Sequence, residues 1–340
     1  MGKKIIAITG ASGFVGSSIL KYLKNKGFEV LGLVRERSSL EKLKGCENNT
    51  IKVNLKNRES IEKTIEGSYC VIHCAARSLD WGKRKDFLEA NVNLTENVAN
   101  ACKNMKIPKL ILLSTANVAG YGEKMKDENE SEKTKLKFMY SKTKLLAEKR
   151  AIEITEQSKT SLVILRPSAI YGPGDTKWSF EMLKMIEKGK WPILNNGKSR
   201  FTPLFIENLC HAIDNVLRID FKNYKSHVPT FNITDDIVVS WIEFCNIIAE
   251  KMNVEPSYRE IPFGVALTIS AIIQCFCGLT GYILEPPLTL YRAIRAGRDF
   301  LYTCDRAKKE IDYCPDRNIE THIEKTVKWY RNITDHWRNG

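Results

Sequence analysis

Two side chains one helical turn apart carry the most chemistry in this sequence. Tyr140 and Lys144 lie in Tyr140-Ser141-Lys142-Thr143-Lys144, so on a helix both project from one face. An ammonium beside a phenol favours the phenolate and draws its pKa from about 10 toward working pH. A phenol placed this way can exchange a proton with an alcohol or a carbonyl. By itself the spacing recurs on many surface helices. It gains weight from Ser114-Thr115, twenty-five residues upstream at the end of the apolar run Leu110–Ser114. A hydroxyl there can hold the reacting oxygen, with Thr115 the first choice and Ser114 the second.

The second stretch is Thr9 to Gly16, directly behind Ile5-Ile6-Ala7-Ile8. Its glycines, Gly10, Gly13 and Gly16, follow a G-x-x-G-x-x-G spacing with Ser12, Phe14 and Val15 between them. Gly10 suits a tight turn out of a strand, Gly13 a close approach of a pyrophosphate, and Gly16 close packing of the next helix. The N-terminus of that helix offers unpaired N–H groups to phosphates. A dinucleotide site follows, with a structural turn as the plainer alternative. The residue closing the second strand then chooses the cofactor. An acidic side chain there would bond the ribose of NAD, whereas an arginine accommodates the 2′-phosphate of NADP. The sequence reads Val34-Arg35-Glu36, with Lys42 as a second cation. Arg35 can pair bidentately with a phosphate, so NADP(H) is preferred, and NAD(H) stays open through Glu36.

These residues need a frame. The first half alternates short apolar runs with helical stretches, the pattern of an α/β doubly wound parallel sheet. Strands are expected at Ile5–Ile8, Val30–Val34, Ile51–Leu55, Cys70–His73, Leu110–Ser114 and Leu162–Arg166, with helices over Leu88–Lys103 and Tyr140–Glu156. The charged stretch 123–137 reads as loop or a short exposed helix, and 191–202 as irregular. Helices over 178–187, 206–217 and 241–252 surround a strand at 231–233. Segments 1–172 and 201–233 would form the dinucleotide domain, and 173–200 with 234–340 a smaller, mainly helical substrate domain.

Composition sets the class. The 340 residues are 43% hydrophobic and 27% charged with a net charge of +13, suiting a globular chain with anionic company. No basic tract interleaved with aromatics favours nucleic acid. The ten cysteines follow no metal or disulfide spacing, so no metal is expected. A strand that begins almost at Met1, with no signal peptide ahead of it, predicts a cytoplasmic setting.

With these residues in view, the chain resembles an extended short-chain dehydrogenase/reductase of the NAD-dependent epimerase/dehydratase grouping. The likeness runs through the glycine triplet, His73-Cys74-Ala75-Ala76, Ser114-Thr115, Tyr140 and Lys144 to Arg166-Pro167-Ser168 and Tyr171-Gly172-Pro173-Gly174. It implies that Tyr140 is the acid/base, that Lys144 also holds the nicotinamide ribose, and that Thr115 orients the substrate. It places Ala75 and Ala76 along the cofactor and Pro167 and Ser168 at its nicotinamide end. Asn54, followed by Leu55, stands where the family has an adenine-contacting Asp. Ala116-Asn117 replace the Asp-Glu pair of sugar 4,6-dehydratases. Val34-Arg35 resembles dihydroflavonol-type reductases, and the C-terminal half resembles the 3β-hydroxysteroid dehydrogenase branch.

Phe263–Leu284 is a 22-residue run without charge, bracketed by Pro262 and Pro286-Pro287. It is read as a buried wall over an apolar substrate, with dipping into one membrane leaflet and a true span as alternatives. The first two imply a lipophilic substrate, because an apolar wall leaves sugar hydroxyls unpaired. The expected activity is an NADP-dependent interconversion of a secondary alcohol and a ketone on a sterol-like or other apolar molecule. The alternatives are a nucleotide-sugar epimerase with bound NAD and a non-catalytic dinucleotide-binding scaffold. The expected partners are this small molecule, a peripheral membrane contact through 263–284 and a second copy in a homodimer.

Overall fold

The computed structural model describes residues 4–132, 138–221 and 228–339. Its first half runs β1 (Ile5–Thr9), α1 (Phe14–Asn25), β2 (Glu29–Val34), β3 (Thr50–Lys52), α2 (Arg58–Ile65), β4 (Cys70–His73), α3 (Arg84–Phe87), α4 (Leu94–Asn104), β5 (Lys109–Leu113), β6 (Gly122–Lys126), α5 (Met139–Glu156), β7 (Ser161–Pro167) and β8 (Ala169–Tyr171). Next come α6 (Trp178–Glu187), β9 (Trp191–Leu194), β10 (Arg200–Phe201), β11 (Pro203–Phe205), α7 (Ile206–Arg218), β12 (Thr230–Ile233), β13 (Val239–Ser240) and α8 (Trp241–Met252). The chain closes with β14 (Tyr258–Ile261), α9 (Phe263–Leu279), α10 (Leu290–Gly297), β15 (Phe300–Tyr302), α11 (Asp305–Glu310) and α12 (Ile319–Asn339).

The main sheet has seven strands in the order β12-β7-β5-β4-β1-β2-β3, with every neighbouring pair parallel. Parallel strands bury both faces, which is why these segments read as continuous apolar runs. Ile6, Ile8, Ile72, Ile111, Val163 and Leu165 pack into one core. Ala7, Val71, Leu110, Leu112, Leu162 and Ile164 pack into a second on the opposite face. Strand order reverses between β1 and β4, the point where doubly wound sheets open a crevice at the carboxyl ends of their strands.

Four readings of the sequence need correction. Residues 122–126 form β6 rather than a loop, and Glu128–Glu132 form a short 3-10 turn; residues 133–137 lie outside the described ones. β6 is illegible in the sequence because its burial is slight: among the described residues it pairs with β15 alone, on the edge of the sheet β13-β10-β15-β6. The stretch 191–202 holds β9 and β10. The third strand stops at Lys52, short of Leu55. The helix expected over 88–103 begins as a π-turn, Leu88–Asn93, before α4 continues it.

The long apolar run also differs. α9 ends at Leu279, and no helix among the described residues is long and apolar enough to cross a membrane. Nor is α9 a buried wall. Only Ala266, Ser270 and Cys277 are buried, whereas Ile272, Phe276 and Leu279 are 65%, 63% and 83% exposed. Its buried positions are small, Phe263 and Leu267 pack only partly, and several large apolar side chains face outward, unlike a soluble amphipathic helix.

Candidate active site

The glycine turn is dictated by backbone contact. Gly10 has φ +68, and a side chain there would meet Ala75 Cα and N at 2.9 Å. A Cβ on Gly16 would overlap the Gly10 carbonyl. Hence the chain leaving β1 can touch the chain leaving β4 only with glycine at these positions. α1 starts at Phe14 with no side-chain cap on Gly13 and no acidic residue in its first turn. Its leading N–H groups are left for an anion, which suits a dinucleotide pyrophosphate.

A buried hydroxyl–imidazole chain locks the turn from below. Thr95 Oγ1 donates to Asn91 O (2.7 Å), so it accepts from His73 Nε2 (3.1 Å). His73 Nδ1 therefore accepts from Thr9 Oγ1 at 2.7 Å, and Thr9 Oγ1 accepts from Ala75 N at 3.3 Å. The network requires a neutral ring, and burial with the nearby Lys144 charge pushes its pKa down to about 3.

At the end of β2, Arg35 is exposed and its backbone N–H bonds Ser38 Oγ, which also accepts from Ser12 Oγ. Among the described residues its guanidinium pairs with no carboxylate. Glu36 turns outward to Lys52 (2.8 Å) rather than inward. Lys42 donates to Gly174 O (2.6 Å) and Thr176 Oγ1 (2.9 Å), tying its turn to the loop after β8, and burial lowers its pKa. Asn54 is exposed, its Oδ1 accepting from Lys56 N, and Leu55 is buried in the core. Ala75 is half-buried at the turn and Ala76 exposed.

Thr115, Tyr140 and Lys144 gather beyond the carboxyl end of β5. Thr115 caps the 3-10 turn Ala116–Ala119 by accepting from Asn117 N (3.3 Å), and its hydroxyl hydrogen-bonds the Tyr140 phenol. Ser114 instead faces a buried spot where its Oγ has no partner, as does Ser168 Oγ beside Pro167. Lys144 Nζ donates to Leu113 O at 2.5 Å. Burial lowers its pKa to about 8, opposed by Glu148 and Cys74. The phenol departs from expectation: burial, then the neighbouring Tyr291, raises the Tyr140 pKa, and the Thr115 bond only partly offsets this. Lys144 points at the Leu113 carbonyl, so its charge does not dominate the phenol.

Distant residues hold α5 in place. Glu148 and Arg166 make a buried bidentate pair at 2.7 and 3.0 Å, fastening α5 to β7. Asn91, in the π-turn, accepts from Arg77 N (2.7 Å) and donates to Thr143 Oγ1 (3.0 Å). Asn117, Tyr291 and Tyr302 are further site residues that no local motif announced. Asn117 Nδ2 donates to Tyr291 OH (2.9 Å) and its Oδ1 accepts from Tyr302 OH (3.0 Å). Tyr291 also meets Phe138 edge-on at 5.0 Å, so α10 packs over the start of α5.

A doubly wound sheet carrying a glycine turn at its switch point and a Thr–Tyr–Lys cluster beside it defines a dinucleotide-type oxidoreductase architecture. The chain belongs to the NAD dependent epimerase/dehydratase family, whose model matches residues 6–233. It is 27% identical to human sterol-4-alpha-carboxylate 3-dehydrogenase, decarboxylating, over 97% of this chain and 89% of that protein. It is likewise 27% identical to 2-alkyl-3-oxoalkanoate reductase of Shewanella oneidensis, over 94% of this chain and 84% of that one. Among solved structures, dTDP-glucose 4,6-dehydratase DesIV of Streptomyces venezuelae shares the fold with a TM-score of 0.79 at 16% identity, covering 98% of each chain. UDP-glucuronic acid 4-epimerase of Bacillus cereus does so at 0.76 and 19% identity, over 97% of this chain and 99% of that one.

Proposed function

We propose that the protein is an NADP-dependent oxidoreductase interconverting a secondary alcohol and a ketone on an apolar molecule. The observation that carries this reading is the convergence of Thr115, Tyr140 and Lys144 beside the glycine turn. The dinucleotide, when bound, accepts or returns the hydride of the carbinol carbon. Tyr140 takes the hydroxyl proton as the carbon–oxygen bond becomes a carbonyl, and gives it back in reduction. Thr115 holds the reacting oxygen and keeps the phenol aimed at it. Lys144, anchored on Leu113 O, would hold the nicotinamide ribose. Gly10, Ser12, Gly13, Phe14, Val15 and Gly16 would cradle the pyrophosphate. Arg35, exposed and free of a carboxylate, would receive a 2′-phosphate.

The names of the two curated relatives, a sterol carboxylate dehydrogenase and an oxoalkanoate reductase, support an oxygenated carbon on an apolar skeleton. The outward apolar face of α9 supports contact with a lipid surface that delivers such a molecule. Beside it, Trp81 packs on Tyr282 (4.8 Å) and donates to Leu284 O, and the exposed Lys83, Arg84 and Lys85 follow. That apolar tip with a basic collar fits an anionic membrane surface. Ten unpaired cysteines suit a reducing cytoplasmic compartment.

The test is Tyr140→Phe. Alcohol-dependent NADPH formation should fall by about 1000-fold or more while NADP affinity holds. Turnover that survived would end this assignment. Tightly retained NAD with no net change in NADPH would favour the epimerase reading instead. Arg35→Ser should weaken NADP binding by about tenfold and leave NAD unaffected.

A further inference from the structure

Lys42 joins two loops that lie far apart in the sequence. It sits in the loop after β2, where Leu40 and Leu43 pack on the core and the ammonium is left half-buried. Its Nζ donates to Gly174 O at 2.6 Å and to Thr176 Oγ1 at 2.9 Å, both in the loop after β8. Among the described residues no carboxylate pairs with it. Asp175, between the two acceptors in sequence, accepts instead from Ser179 N (2.8 Å) and Lys177 N (3.1 Å). The acceptor loop is thereby fixed to the start of α6, and Lys42 fastens the β2 loop to it.

These bonds close a ring through the glycine turn. Ser12, inside the turn, donates to Ser38 Oγ at 3.2 Å, four residues before Lys42. Gly174, at φ +97, lies against Phe14: a Cβ there would meet the Phe14 ring at 3.4 Å. From Ser12 the path runs to Ser38, along the loop to Lys42, across to Gly174, and back through Phe14 and Gly13. Gly13 and Phe14 open α1, so its leading N–H groups belong to the ring. A pyrophosphate on those groups would sit at the ring, and its nucleoside belongs at the end of β2, the strand that the Lys42 loop follows. Of the non-covalent links, the charged donor of Lys42 is the strongest.

We propose that Lys42 is a latch: by bonding the loop after β8 it closes the ring at the glycine turn and gates the entry and exit of the dinucleotide. Both bonds run from protein group to protein group and neither needs the cofactor, so the latch acts on passage rather than on affinity. It must open on the way in and on the way out. In a reaction that exchanges its dinucleotide every cycle, such a step can set the turnover rate. The proposal rests on the dinucleotide site and is independent of the alcohol–ketone reading, because no substrate enters it.

Stopped-flow fluorescence would give kon and koff of NADPH and of NADH for the wild type, Lys42→Met and Thr176→Val. In Lys42→Met both rates should rise about tenfold for each dinucleotide, leaving Kd within about twofold. Thr176→Val removes one acceptor and keeps the ammonium, so both rates should rise about threefold without any change in charge. Amide hydrogen exchange should quicken at 38–44 and 172–177 in both variants and stay slow at 5–9, which separates an open latch from a general loss of fold. Unchanged rates in a wild type and variants that all bind would overturn the latch and leave the site standing. A weaker Kd with kon unchanged would also overturn it; confined to NADPH, that loss would assign Lys42 to the 2′-phosphate. A wild type that binds neither dinucleotide would overturn the site, and the latch with it.

Discussion

The glycine turn and the α9–α10 hairpin are secured by opposite means. At the turn, backbone meets backbone: Gly10 lies against Ala75, Gly16 against Gly10, and the Thr9–His73–Thr95 chain closes beneath them. Neither Gly10 nor Gly16 can take a side chain without moving main chain. The hairpin is held by a few side-chain clasps over a small inner stripe. Asp80 accepts from Arg292 and Thr289, and Trp81 donates to Leu284 O, while the large apolar residues of α9 point away. Where the proposed cofactor would bind, backbone packs on backbone; where the proposed substrate would lie, the fold is clipped on by side chains. Such a division lets one half recognise a shared cofactor and the other be altered around different substrates.

The largest effect should come from the rigid half. Gly16→Ala drives a methyl into the Gly10 carbonyl, so β1 and α1 must separate. A loss of about 3 kcal/mol in denaturant unfolding is expected, together with loss of dinucleotide binding. A stable variant that still binds would show that the turn is softer than its contacts imply.

Asp80→Ala probes the clipped half. It strips Arg292 of one carboxylate and leaves Glu285, which is exposed, and it removes the acceptor of Thr289, so a cost of about 1 kcal/mol is expected. Hydrogen exchange should quicken across 279–297 and stay slow at 5–16. Faster exchange in both would mean that the two regions open together, contradicting the division.

The turn should also respond to acid. The unfolded chain protonates His73 near its ordinary value of 6.5, the native chain only near about 3. Its contribution is whole above 6.5 and is lost as pH falls toward 3, at about 1.4 kcal/mol per pH unit. Glu128 and Asp235, raised by burial, titrate in the opposite sense nearby. The difference between wild type and His73→Asn therefore isolates the imidazole. Equal slopes in the two proteins would remove His73 from the account.

What could be read in advance follows the same division. The half built on the glycine turn writes itself locally: β1, β4 and β7 each carry a run of three or four apolar residues, and the glycine spacing and Tyr140-x-x-x-Lys144 each lie within a few residues. Thr115 was legible from its place after β5. The remainder was not, because its partners come from far along the chain. Tyr291 joins Asn117 across more than 170 residues, and Lys42 reads as a phosphate partner until the loop after β8 meets it. Charged β6 hides because one neighbour, β15, supplies all its pairing. The phenol pKa was misjudged in direction because spacing fixes a shared face, not where Lys144 points; the Leu113 carbonyl claims it.

The smallest stability effect should come from the outer face of α9. Ile272→Gln with Phe276→Gln removes two side chains that are mostly exposed, so unfolding free energy should shift by no more than about 0.5 kcal/mol. Binding to vesicles containing phosphatidylserine should weaken by about tenfold or more, since each side chain carries ~1–2 kcal/mol of transfer energy. The pairing of these two results is what matters. A large loss of stability that grows on dilution would mean that a second copy of the chain covers this face, making α9 an interface rather than a lipid contact. Unchanged stability with unchanged vesicle binding would leave the basic collar at 83–85 to account for membrane attraction alone, and raising the salt would then abolish it.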